Sequence, residues 1–109
     1  MALWRATGRR AERFLDHFGG IIVSGFAKFG DNCRIRNGVT IGLRRIDEQF
    51  APVIGNNVDI GAGAKLLGPI TIGDNVIIGA NAVVLCDVPA NSIAVGVPAT
   101  IKPRSPQTN

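Results

Sequence analysis

Histidine, cysteine and aromatic residues are scarce in this sequence, and each scarcity removes a class of function. There is one histidine, His17, in 109 residues, and the two cysteines, Cys33 and Cys86, are far apart with no histidine near either. Those spacings cannot complete a metal site, so no metal is expected. Aromatics make up only 6% of the chain and tyrosine is absent. Arg5, Arg9, Arg10 and Arg13 cluster near the start, but no arginine or aromatic stripe continues into the body. The cluster therefore reads as a solvated helix face, and no nucleic-acid partner is expected. Acidic side chains are few as well, 8 against 12 basic ones, for a formal net charge of +4. No apolar run approaches transmembrane length, and "MALWRATGRRAERFL" lacks the apolar centre of a signal peptide. The expected location is the cytoplasm. The length allows one domain, large enough for a core and marginal on its own.

What the sequence does contain is a period of six. Val23, Phe29, Ile35 and Ile41 keep that spacing, and Ile54, Ile60, Leu66, Ile72, Ile78 and Val84 keep it again after one interruption. All ten are apolar in a chain that is 46% hydrophobic, a coincidence on the order of one in a few thousand. Four residues after the anchors stands a second apolar column: Ala27, Cys33, Val39, Val58, Ala64, Ile70, Val76, Ala82 and Val88. Glycine often follows the anchor, as at Gly30, Gly42, Gly55, Gly61, Gly73 and Gly79. The fourth place of the hexad favours Asn32, Gly38, Asn57, Gly63, Asn75 and Asn81, residue types that accept the positive φ of a sharp corner.

A strand alternates every two residues, so six residues make three alternations with one corner. Three such segments close a triangular coil, and coils stack ~4.8 Å apart through parallel hydrogen bonds. The sequence thus predicts an all-β hexapeptide β-helix, a triangular prism over residues 17–88. Ile41 and Ile54 are thirteen apart, and the charged "GLRRIDEQFAPV" between them predicts a loop extruded at about 43–53, a favoured place for recognition. Residues 1–16 are expected to form a helical cap, the helix running from Ala2 to Leu15 over the open end of the stack. In "DVPANSIAVGVPATI" the hexad phase is lost, and Pro89 and Pro98 are expected to stop the ladder, leaving 89–109 as an extension with a disordered tail. Cys33 reads as a core residue and Cys86 as an outward one without the marks of a nucleophile.

The segments "LDHFGGIIV", "NGVTIG", "IGNNVDIGAGAKLLGPITIGDNVIIGANAVV" and "VPANSIAVGVPA" resemble the left-handed β-helix acyltransferases, in their serine acetyltransferase-like branch, over nearly all of Leu15–Ile101. The resemblance implies a left-handed coil, a homotrimer with sites between subunits, and acetyl-CoA as co-substrate in the groove between two prisms. It places His17 as the general base that takes the acceptor hydroxyl's proton, and Asp16 as an acceptor contact. A near-neutral imidazole suits that step. It further assigns the cofactor to Gly42 and Leu43 beside the pantetheine arm, to the main chain at Ala62 and Ala80, and to Lys102 for the nucleotide phosphates.

The sequence departs from that branch in three places. Where serine acetyltransferases carry Arg-His-Pro at the end of the extruded loop, this chain has Phe50, Ala51 and Pro52. An apolar residue before the proline resembles members that acetylate sugars during polysaccharide assembly. The aspartate that orients the histidine about fifteen residues upstream is replaced by Ala2, and Asp16 cannot stand in, because neighbours in a strand point to opposite sides. The helical domain ahead of the coil has no counterpart in these residues. The expected function is acetyl transfer to a hydroxyl of a small polar acceptor, a sugar ahead of serine. The alternatives are serine O-acetylation and a trimeric scaffold without chemistry. A zinc hydratase on the same scaffold would need several histidines per site, which one per chain does not supply.

Overall fold

The computed structural model describes residues 2–4, 20–24, 26–45 and 50–104. They form thirteen short strands: β1 (Ala2–Trp4), β2 (Ile22–Val23), β3 (Lys28–Phe29), β4 (Cys33–Ile35), β5 (Thr40–Gly42), β6 (Val53–Ile54), β7 (Asp59–Ile60), β8 (Lys65–Leu67), β9 (Thr71–Ile72), β10 (Ile77–Ile78), β11 (Val83–Val84), β12 (Ser92–Val95) and β13 (Thr100–Pro103). Each of β2 to β8 pairs in parallel with the strand three further along the chain, and β10 pairs in parallel with β12. This gives the faces β2-β5-β8-β11, β3-β6-β9 and β4-β7-β10-β12. Three faces visited in rotation are a triangular coil, here the left-handed parallel β-helix.

Register follows from the period. Val23 stands against Ile41, Ile54 against Ile72, Ile60 against Ile78 and Leu66 against Val84, each pair 18 residues apart. Phe29 with Ile54, Ile35 with Ile60 and Ile41 with Leu66 are 25 apart, so the interruption inserts 25 − 18 = 7 residues without disturbing the stack. Nine of the ten anchors are buried, and Phe29 is half-buried against them. The second column from Ala27 to Val88 is buried throughout. Each large side chain in this dry interior contributes about 1.5–3 kcal/mol relative to exposure.

The corners have the expected chemistry. Asn32, Asn57, Asn75 and Asn81 have φ between 57° and 60°, and Gly38 and Gly63 have 76° and 75°. Side-chain oxygens tie one corner to the next: Asp31 N–H donates to Asn56 Oδ1 at 2.7 Å, and Asn56 N–H donates to Asp74 Oδ1 at 2.7 Å.

Both ends differ from expectation. The ladder does not stop at Pro89. Val88 bridges Ile72 and β12 pairs with β10, at spacings of 16 rather than 18, so the last coil is two residues shorter and Val88 takes an anchor place, not one in the second column. Pro89 sits in a corner, where no ladder N–H is required of it. The turn at Gly96–Ala99, with a cis Val97–Pro98 bond, sends β13 back antiparallel along β12. Part of the expected disordered tail is therefore strand. Arg104 continues the order, its N–H donating to the Asn91 carbonyl at 2.8 Å and Nη1 to the Asn75 carbonyl at 3.0 Å. At the other end Ala2–Trp4, where the helix was expected to begin, is a strand antiparallel to β4; the rest of the expected helix lies outside the described residues. No described helix is long and apolar enough to cross a membrane.

Two substitutions test this packing. Ile60→Ala removes a fully buried anchor between Ile35 and Ile78, and denaturant unfolding should show a loss of about 2–5 kcal/mol. Gly61→Ala should lose stability by a different route, because a Cβ there would stand 2.6 Å from the Ala80 backbone nitrogen. An unchanged midpoint for either variant contradicts the stacked-coil account.

Candidate active site

The interior is filled with aliphatic side chains, so any ligand must meet the outer walls and corners. The corner that leads from the β7-β10 face to the β8-β11 face carries Ala62 and Ala80, both exposed, one directly above the other: Asn81 N–H donates to the Ala62 carbonyl at 2.8 Å. Beneath them the glycines are required by packing. A Cβ on Gly61 would meet the Ala80 nitrogen, and one on Gly63 would collide with Asn81 Oδ1. The result is a ridge of small residues that leaves the main chain open to close approach.

Gly42 and Leu43 lie at the far end of the same face, where β5 leaves the wall. Gly42 differs from the packing glycines. Its φ is not positive, and a Cβ there would meet nothing within 4 Å. Neither backbone conformation nor packing among the described residues demands glycine at this point. Glycine in a strand often marks a bulge, a tight bend or a close approach of a ligand or another backbone, and Gly42 stands where β5 turns out into the loop. Leu43 is half-buried against the core. Lys102 is exposed in β13 opposite Ile93, beside a different face. The structure thus stacks Ala62 on Ala80, places Gly42 and Leu43 across the face from them, and does not bring Lys102 to that face. Asp16 and His17 lie outside the described residues.

Some features were not singled out in the sequence. Phe26 is 58% exposed between β2 and β3, unusual for an aromatic in a chain so poor in them. Arg44 lies against Gly68 on the coil above, a contact that no periodicity announces. Arg36 forms a two-pronged ion pair with Asp59, Nε to Oδ1 at 3.2 Å and Nη2 to Oδ2 at 3.1 Å, which joins two coils on another face. It is partly exposed and serves register more than stability.

The cysteines separate as expected. Cys33 is buried, its thiol donating to the Gly55 carbonyl at 3.0 Å, while Cys86 is exposed. Burial pushes the Cys33 thiol above its ordinary value of 9.0, so it stays protonated and unreactive. No cluster of three or more metal-ligating side chains occurs among the described residues. A thiol reagent should modify Cys86 in the native protein and Cys33 only on unfolding. The unfolded thiol ionises before the folded one, so stability should fall as pH rises above 9.0, and Cys33→Ala should remove that part of the decline. Rapid labelling of both cysteines in native protein contradicts this.

Comparison with known proteins agrees with this geometry. The bacterial transferase hexapeptide family (six repeats) matches residues 51–86. Over 92 residues the chain is 45% identical to a serine acetyltransferase of Mycobacterium tuberculosis, covering 84% of this chain and 40% of the relative. Over 99 residues it is 42% identical to WcaB of Escherichia coli, named for colanic acid biosynthesis acetyl transfer, covering 90% and 61%. A solved serine acetyltransferase of Brucella abortus in complex with coenzyme A superposes with a TM-score of 0.77 at 42% identity, covering 84% of this chain and 37% of that one. The chain therefore spans between two fifths and three fifths of these curated relatives. By repeat, sequence and fold, the chain belongs to the hexapeptide-repeat acyltransferases, in their serine acetyltransferase-like branch.

Proposed function

We propose that this protein transfers an acetyl group from acetyl-CoA to a hydroxyl of a small polar acceptor. The observation that carries the reading is Gly42, a glycine that the fold does not require, on the face whose opposite corner presents Ala62 and Ala80. Bare main chain at both ends of one wall suits an extended, largely apolar arm laid along it. The relatives named serine acetyltransferase, one of them solved with coenzyme A, support the same donor.

The acceptor oxygen attacks the thioester carbonyl, a C–O bond forms, and the C–S bond breaks. His17 takes the acceptor's proton and returns it to the departing CoA sulfur. Asp16 contacts the acceptor, and Lys102 meets the nucleotide phosphates of a donor held by a neighbouring subunit. The interior of the described prism is filled by aliphatic side chains, so a second prism is the natural other wall of the site. That argument supports the homotrimer with sites between subunits.

Two acceptors have support from different observations. Phe50-Ala51-Pro52, in place of a polar pair before the proline, supports a sugar hydroxyl, as does the greater coverage of the polysaccharide-type relative. The identity to serine acetyltransferases supports serine at least as well. Release of free thiol from acetyl-CoA, followed with serine and with sugars or nucleotide sugars, separates them. His17→Ala should lower turnover by about 10²–10⁴-fold with the assembly intact. Gly42→Leu should weaken CoA binding in calorimetry by about tenfold or more while leaving the unfolding midpoint near wild type, since the added side chain meets open space. Absence of CoA binding by the wild-type protein would sink the enzymatic reading and leave the scaffold.

A further inference from the structure

The extruded loop leaves the wall after β5 and returns before β6, and its two roots are held by different coils. The outgoing root is held by the coil above. Gly68 N–H donates to the Gly42 carbonyl at 2.9 Å, and Arg44 Cβ, Nε and Cζ lie 3.5, 3.7 and 3.9 Å from where a Gly68 side chain would begin. The returning root is held by the coil below: Lys28 N–H donates to the Pro52 carbonyl at 3.2 Å, and Ala51 and Pro52 are buried.

Gly68 differs from the asparagine corners. Asparagine supplies the left-handed residue at Asn32, Asn57, Asn75, Asn81 and Asn91, all with φ of 57–60°, whereas Gly68 sits at 96°. A methyl group at Gly68 would just touch Arg44, and anything longer would enter the arginine's place. Gly63 repeats the logic, since the Asn81 carboxamide occupies the room its side chain would need. In both, a left-handed corner is glycine where a neighbour's side chain lies over it. Arginine suits the role: its stem covers apolar surface, and its planar, weakly hydrated head lies flat on bare main chain.

We infer that Arg44, laid across Gly68, is a positioning residue that sets the stance of the outgoing root Gly42–Leu43–Arg44, and with it the open backbone at Gly42. The inference rests on the acetyl-transfer reading for its kinetic consequence and on geometry alone for its structural one. The loop's roots and the donor site are then coupled, because one strand end, Gly42, carries the hydrogen bond from Gly68 and borders the space left for the ligand.

The test compares Gly68→Asn, Arg44→Ala, Arg44→Lys and the double variant Gly68→Asn/Arg44→Ala, with Gly38→Asn as a left-handed corner remote from the loop. Asparagine fills the arginine's place, and since φ at Gly68 lies beyond the 57–60° of the asparagine corners, the unfolding midpoint of each variant is measured alongside to separate backbone strain from displacement of Arg44. Trypsin cleaves after an arginine only when its side chain is free to enter the protease. Cleavage of the Arg44–Arg45 bond, read by mass spectrometry, should therefore be about tenfold faster in Gly68→Asn than in wild type, and unchanged in Gly38→Asn. KM for acetyl-CoA should rise severalfold in Gly68→Asn and in Arg44→Ala with kcat within about twofold, and Arg44→Lys, which keeps stem and charge, should restore part of it. In the double variant the two effects on KM should not add. Wild-type cleavage rates in Gly68→Asn, or additive effects on KM, would overturn the inference. If no acetyl transfer is found, the functional reading falls and the cleavage rates alone decide this one.

Discussion

The parallel hydrogen-bond ladder from coil to coil holds every residue above its partner in the coil before it. Ile22 N–H donates to the Val39 carbonyl at 2.9 Å and Ser24 N–H to the Ile41 carbonyl at 2.7 Å, and the same pattern climbs all three faces. Such a ladder closes only if each turn of the chain returns to the same place, so each turn needs three sharp corners. Left-handed asparagines and glycines supply most of the described corners, because other side chains resist positive φ. Once the corners repeat, the inward positions fall into columns, and a column that touches only itself has to be apolar. Ser92 is the one polar residue buried among those described, and its hydroxyl donates to the Ala90 carbonyl at 3.3 Å.

That architecture decides where chemistry can occur. Among the described residues the core is occupied by isoleucine, valine, leucine and alanine, so function is sought on walls, corners and insertions. The glycines show the division. Gly61, Gly73 and Gly79 are needed because the next coil lies where a side chain would be, with a Cβ at Gly73 only 2.5 Å from the Ala90 nitrogen. Gly42 answers to no such demand. The seven-residue insertion obeys the same rule: it leaves the ladder untouched on either side, and its roots are tied to the coils above and below it.

Much of this was legible in the residues. A period of six in anchors, glycines and asparagines is redundant across many positions, so a single irregularity such as half-buried Phe29 does not blur it. The ends were less legible because they rest on few residues. Pro89 argued against further pairing, yet proline is harmful only where a ladder N–H is needed, and a corner needs none. Val88 sits four residues after Val84 and so looked like a member of the second column; the shortened last coil moves it onto Ile72. The helical reading of Ala2–Leu15 rests on Leu3, Trp4, Ala11, Phe14 and Leu15 falling near one side, but at Ala2–Trp4 the open edge of β4 offers backbone partners that a local pattern cannot foresee. At the site, small residues 18 apart predicted the ridge of Ala62 over Ala80. Lys102 follows the family's closing motif, and the reversal at Gly96–Ala99 sets it opposite Ile93 along β12, a placement its position in the chain does not announce.

The sequence by itself determined the coil, its interior and the place of its interruption, because those follow from periodicity and from what a backbone corner tolerates. Only the tertiary structure decided which glycines are structural and which is open, since that depends on atoms of another coil and not on neighbours in the chain. The same is true of Arg44 on Gly68 and of the strands that close the two ends: each is a contact between residues whose separation in sequence has no period to reveal it.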